Sequence, residues 1–123
     1  NTAKIIRHMS YLVENDPTRR FVFGVTIEDV GMQLWYCDRS GYVTSERFNY
    51  IAVCILFFVH AFVSLACAKG HHLGFDASMT RISISEEKRE DSIEIEVRER
   101  VFCTTRFLYN RYAHHVCGRG TRV

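Results

Sequence analysis

Residues 19–48 read RRFVFGVTIEDVGMQLWYCDRSGYVTSERF, and this stretch decides the fold. Phe21, Phe23, Val25 and Ile27 recur at every second position, which places them on one face of an extended strand. Glu28-Asp29-Val30-Gly31 predicts a turn, with Gly31 available for a left-handed backbone. Met32, Leu34 and Tyr36 then alternate with Gln33, Trp35 and Cys37, a second strand apolar enough on both faces to be covered on both. Asp38-Arg39-Ser40-Gly41 is a second turn, and Tyr42 to Phe48 a third strand. A meander of antiparallel strands is the simplest arrangement of these pieces.

Outward from the meander, Ile5, Ile6, Met9, Leu12 and Val13 form one stripe at helical spacing, so Thr2 to Asn15 is predicted helical, with Thr2 as its cap. Asn15-Asp16-Pro17 stops that helix, because the residue before a proline is pushed out of helical geometry. Arg19 and Arg20 read as a solvated strand entrance. Beyond the meander, Ile51 to Ala68 carries no formal charge, and His60 and Ser64 are its most polar side chains. Its length is at the lower limit for crossing a bilayer. Two readings stand, a helix buried on the sheet and a membrane anchor through 51–68. Basic residues at both flanks, Arg47 and Lys69, supply no orientation signal, and strands on both sides favour the buried helix. His60 then reads as a core or boundary histidine. Gly70 is the expected helix cap.

After the turn Leu73-Gly74-Phe75-Asp76, with Phe75 as its apolar anchor, strands are predicted over Thr80–Ser85, Ile93–Val97 and Val101–Tyr109. Glu86 to Asp91 reads as a solvated hairpin loop. The expected fold class is therefore α+β, an antiparallel meander with covering helices and a second strand set.

Composition bounds the function. A chain of 123 residues holds one domain at most and can bury a core. A formal net charge of +2 gives no electrostatic case for nucleic acid as a partner. The five cysteines are odd in number, and Cys37 and Cys54 lie inside apolar runs, which fits a reducing, intracellular compartment better than a disulfide framework. The start at Asn1 and the end on Arg122-Val123 read as those of a fragment or a truncated gene product.

Taken together, R-R-F-hydrophobic-x-G at Arg19–Gly24, the hydrophobic-x-L-W strand ending at Trp35, the D-R-S-G turn at Asp38–Gly41, Leu73-Gly74-Phe75-Asp76 and Gly118-Arg119-Gly120-Thr121-Arg122-Val123 resemble the N-terminal part of the fungal-type protein kinase family. The resemblance implies that residues 1–117 precede the kinase domain and that 118–123 enter its N-lobe. It further implies that the longer protein phosphorylates protein substrates with ATP and Mg²⁺, and that the rest of the kinase domain is the partner of this segment. Gly118, Gly120 and Thr121 match the glycine-bearing turn whose backbone N–H groups approach a nucleotide phosphate. The third glycine of a kinase loop is lacking. The strand lysine, the H-R-D catalytic loop and the D-F-G metal aspartate are missing from these 123 residues, so the segment itself is expected to be non-catalytic, with no cofactor or metal of its own.

Other constellations are weaker. Asp76 with Glu86-x-Lys88 can be arranged as a metal-dependent nuclease pattern, but the E-x-K lies in a loop rather than on a rigid strand. Cys67, His71, His72, His114, His115 and Cys117 lack the paired spacings of a zinc site.

Overall fold

The structure is a computed structural model and describes residues 2–53, 55–82 and 92–105. It is α+β, with mixed helices and antiparallel sheets. Helix α1 (Thr2–Asn15) leads into strands β1 (Phe21–Glu28) and β2 (Gly31–Asp38), followed by short strands β3 (Tyr42–Thr44) and β4 (Phe48–Asn49). All pair antiparallel to β1 or β2, with β3 and β4 each lying beside β2. Helices α2 (Tyr50–Val53) and α3 (Ile55–Cys67) come next, then a 3₁₀ turn at Gly70–Leu73. A second antiparallel sheet holds β5 (Met79–Ile82), β6 (Ser92–Val97) and β7 (Arg100–Cys103) in that order.

The β1–β2 register pairs Val22 with Cys37 and Gly24 with Trp35 on one face, and Phe23 with Tyr36 and Val25 with Leu34 on the other. Helix α1 covers the first face. Met9 and Val13 pack with Val22, Trp35 and Cys37 to form the core, with Ile5 and Ile6 against its margin. Gly24 leaves room for this contact, since a Cβ there would lie 2.8 Å from the Met9 sulfur. Trp35 is only 4% exposed, as its place in the meander predicts, and its Nε1–H donates to Thr26 Oγ1 at 2.9 Å. Thr2 belongs to the first turn of α1 rather than capping it, and Asp16-Pro17 ends the helix as expected.

Three turns share a D-x-[S/T] pattern in which the aspartate folds onto the residue two positions on. Asp16 Oδ1 accepts from Thr18 N at 3.0 Å and from its hydroxyl at 2.6 Å. Asp38 Oδ1 accepts from Ser40 N at 2.8 Å, from the Ser40 hydroxyl and from Gly41 N at 3.1 Å. Asp76 Oδ1 accepts from Ser78 N at 2.9 Å and from its hydroxyl at 2.7 Å. The Ser40 and Ser78 hydroxyls, with the amides beside them, hold the Asp38 and Asp76 carboxyls below the usual range.

Several glycines act differently from expectation. Asp29 takes the left-handed conformation in the β1–β2 turn, at φ 53°, where Gly31 was expected to. Gly31 instead lies under the Arg47 guanidinium, which would have to shift to admit a Cβ. Arg47 Nη2 donates to the Glu28 carbonyl at 3.0 Å, clasping β4's approach to the turn. Gly70 does not cap α3; it opens the 3₁₀ turn, and Gly74, at φ 97°, closes it. The expected third strand is split: Ser45 still donates its amide to the Leu34 carbonyl at 2.9 Å but accepts from Leu34 N through its hydroxyl, and β4 then pairs with Met32 and Gly31. The β6–β7 connection is a two-residue turn with Arg98 and Glu99 both at positive φ, the primed geometry that matches strand twist. The hairpin loop expected over Glu86–Asp91 and the strand extension toward Tyr109 lie outside the described residues.

Candidate docking surface

The chain from Asn49 onward is built to start a helix and then leave it bare. Asn49 Oδ1 accepts from Ile51 N and Ala52 N, both at 3.0 Å, satisfying two amides that the first turn cannot. Tyr50, Phe58 and Phe62 then stack in series, with ring centroids 5.3 and 4.7 Å apart. Alpha-helix α3 is apolar all round, yet none of its residues is buried. Leu56 is 71% and Phe57 73% exposed, and Ile55, Val59, Phe62 and Val63 are exposed as well. A helix of this composition is ordinarily enclosed on every side.

The expectation that residues 51–68 pack along the second face of the sheet is therefore corrected. Contact is confined to the β2–β4 end, where Met32 is 2% exposed beneath Phe48 and the helix. Phe23, Ile27, Leu34 and Val43 on the same sheet face stay exposed. Phe21 and Tyr36 are half-buried in an aromatic cluster with Phe23, with centroids 5.3 to 5.8 Å apart, while Phe23 itself stays exposed. A strand pattern apolar on two faces calls for two covers, and the described residues supply one. His60 is exposed rather than lodged in a core.

Among the described residues no helix is long and apolar enough to cross a membrane. Cys54, between α2 and α3, lies outside them.

The polar residues singled out from sequence take structural parts or fall outside the description. Arg19 is not simply solvated: its guanidinium lies 4.1 Å from the Phe75 ring centroid and its Nε is 3.9 Å from Asp16. Phe75, expected as the apolar anchor of its turn, lies with its ring beneath this guanidinium. Asp76 is engaged with Ser78, while Glu86 and Lys88 lie outside the described residues. Among the described residues no cluster of histidine, cysteine and carboxylate forms a metal site, and Cys67, His71 and His72 make none. His114, His115 and Cys117, and the nucleotide-turn candidates Gly118, Gly120 and Thr121, lie outside the described residues. Sequence reasoning missed the exposed helix as a surface because the absence of charge that marks it also marks a buried helix.

A family model described as Fungal protein kinase matches residues 1–123, the whole chain. No curated protein and no solved structure matches it.

Proposed function

Because the chain belongs to the fungal protein kinase family, we propose that it is a non-catalytic α+β segment that packs against the ATP-dependent kinase domain of a longer, intracellular protein. One observation carries this reading: among the described residues nothing covers the apolar surface of α3 or the open face of the first sheet. Exposed contiguous apolar surface of this kind marks a contact site. On this reading residues 1–117 form the packing unit and 118–123 begin the N-lobe. Gly118, Gly120 and Thr121 would bring backbone N–H groups toward a nucleotide phosphate, and the remainder of the kinase would hold ATP and Mg²⁺. The strand lysine, catalytic aspartate and metal aspartate that phosphoryl transfer needs are not among the 123 residues, so the segment supports the reaction by packing alone.

The test is hydrogen exchange of peptides spanning 55–67, with and without a kinase domain of the same family co-expressed in trans. Exchange slowed by the kinase domain is the expected result. Unchanged exchange would reject the packing role, and Mg²⁺-dependent phosphate transfer from ATP by the 123-residue chain alone would reject the non-catalytic one.

A further inference from the structure

Strand β1 is an outer strand of the first sheet, paired with β2 along one side. The bonds of β2 show which peptide groups of β1 face it. Leu34 O accepts from Ser45 N, Leu34 N donates to Ser45 Oγ and Asp38 N donates to Gly41 O, so the even-numbered residues of β2 turn toward β3. Gln33, Trp35 and Cys37 are then the residues that bond β1, through Thr26, Gly24 and Val22. The amides and carbonyls of Phe23, Val25 and Ile27 point away from the sheet, and among the described residues no strand lies beside them. The Phe21 carbonyl, on the same side, meets the Gly74 turn. Sheet edges are ordinarily guarded by a charge, a proline or a bulge. Phe21 to Ile27 contains no charge and no proline, and the register with β2 runs unbroken through all eight residues of β1.

This edge is complementary to itself. Laid antiparallel on a second copy with Val25 at the two-fold axis, Val25 meets Val25 of the second copy and Phe23 meets its Ile27. Each outward amide of the three residues then finds a carbonyl. Phe23 and Ile27, exposed in the single chain, become cross-strand neighbours. The charges agree, because Arg19-Arg20 precede the strand and Glu28-Asp29 close it. In this register Glu28 lies opposite Val22 of the second copy and diagonal to its Arg20, an exposed side chain, so the acidic end of each strand meets the basic end of the other. A parallel pair would set like charges together. A register centred on Gly24 would put Ile27 against Phe21, whose carbonyl the Gly74 turn occupies.

We propose that β1 is a homodimer edge, at which two copies of the chain join their β1 strands antiparallel about Val25 into one continuous sheet. The contact uses up the same edge in both copies and therefore closes at two. It does not involve α3 and stands apart from the packing role above.

Sedimentation equilibrium of the 123-residue chain over a concentration series tests this, with a monomer–dimer equilibrium as the expected result. Val25→Pro removes the central outward amide, which β2 does not use, and an edge strand tolerates proline there. It should weaken the dimer by about tenfold or more, with a thermal melt showing that the fold persists. Val25→Lys sets two like charges face to face at the axis and should act the same way, which keeps the test open if the proline variant does not fold. Val25→Cys reads the register. Facing Cα atoms at the axis lie about 5.5 Å apart, within disulfide reach, so mild oxidation should link position 25 to position 25 of the second copy. Phe23→Cys should not link to itself. A chain that stays monomeric up to its solubility limit would overturn the proposal. So would a dimer that withstands Val25→Pro and Val25→Lys, and one lost instead in Leu56→Glu would name α3 as the contact. Phe23, Val25 and Ile27 amides protected from hydrogen exchange in a monomer would overturn it as well, by naming another part of the chain as the cover of this edge.

Discussion

Gly74 is pressed against the main-chain carbonyl of Phe21, so closely that a Cβ at position 74 would collide with the carbonyl oxygen. The contact comes with two backbone bonds that join the turn to the entrance of β1. Arg20 N donates to Gly74 O at 2.7 Å, and Asp76 N donates to Thr18 O at 2.7 Å. Arg19 and Phe75 form the bridge between them. Gly74 also sits at φ 97°, which L side chains rarely adopt. Gly74→Ala therefore combines a strained backbone with a clash against main chain that cannot move aside. The expected loss is about 2–4 kcal/mol, read as a lower midpoint in urea with an unchanged slope. A change below about 0.5 kcal/mol would contradict the geometry.

Trp35→Ala should destabilise by about 3–5 kcal/mol, because it empties the centre of the α1–sheet core. Trp35→Phe should cost less, with part of the loss arising from Thr26 Oγ1, which then lacks its indole donor. Indole fluorescence of the native chain should show the blue-shifted maximum of a buried tryptophan. An emission maximum typical of water-exposed indole would contradict this packing.

Asp16 joins three elements. It folds onto Thr18 at the end of α1, pairs with Arg19 at the entrance of β1, and accepts from Arg81 Nη2 of β5 at 3.2 Å. The Arg81 side chain is 45% exposed, so its ion pair with Asp16 contributes little, under about 1 kcal/mol. Asp16→Ala should therefore cost more than Arg81→Ala, since it also removes the Thr18 turn bonds, each worth about 1 kcal/mol. Equal losses from the two substitutions, measured by denaturant titration, would show that the turn bonds carry no weight.

Acid should loosen the Asp38 and Asp76 turns. Both carboxyls have folded-state pKa values lowered by their serine partners, so the unfolded chain binds protons first as pH falls. Their contribution is present above the unfolded carboxyl value of about 3.9 and is lost as pH falls through the lower folded values. Asp38→Asn and Asp76→Asn should flatten the decline in stability below about pH 4 relative to the native chain. Identical profiles for native and substituted chains would mean that these turns are not linked to protonation.

Much of the fold was legible in local pattern. Period-two alternation in β1 and β2 located the strands and the face that each residue takes, and the apolar stripe of α1 with Asp16-Pro17 after it located the helix and its end. These features depend on residues close in the chain, so the chain alone specifies them. The buried tryptophan followed from the same alternation. Assigning the conformations of glycines was harder, because Gly31, Gly70 and Gly74 are equally permissive in isolation. Which of them must be glycine depends on what approaches from elsewhere: the Phe21 carbonyl fixes Gly74, whereas Gly31 meets only the movable Arg47 guanidinium.

The sequence by itself determined an α+β unit with an uncharged helix, and the match along 1–123 determined its family. Only the tertiary structure decided where that helix lies. An apolar stretch carries the same free-energy incentive to leave water whether its cover is its own sheet, another domain or lipid, because hydrophobic burial is proportional to area and has no direction. Residues 51–68 could not disclose which surface would cover them. The fold decides that α3 touches the sheet at its Met32 end and leaves the rest of its surface outward, since α1 occupies the opposite face and Phe21, Phe23 and Tyr36 cluster with one another.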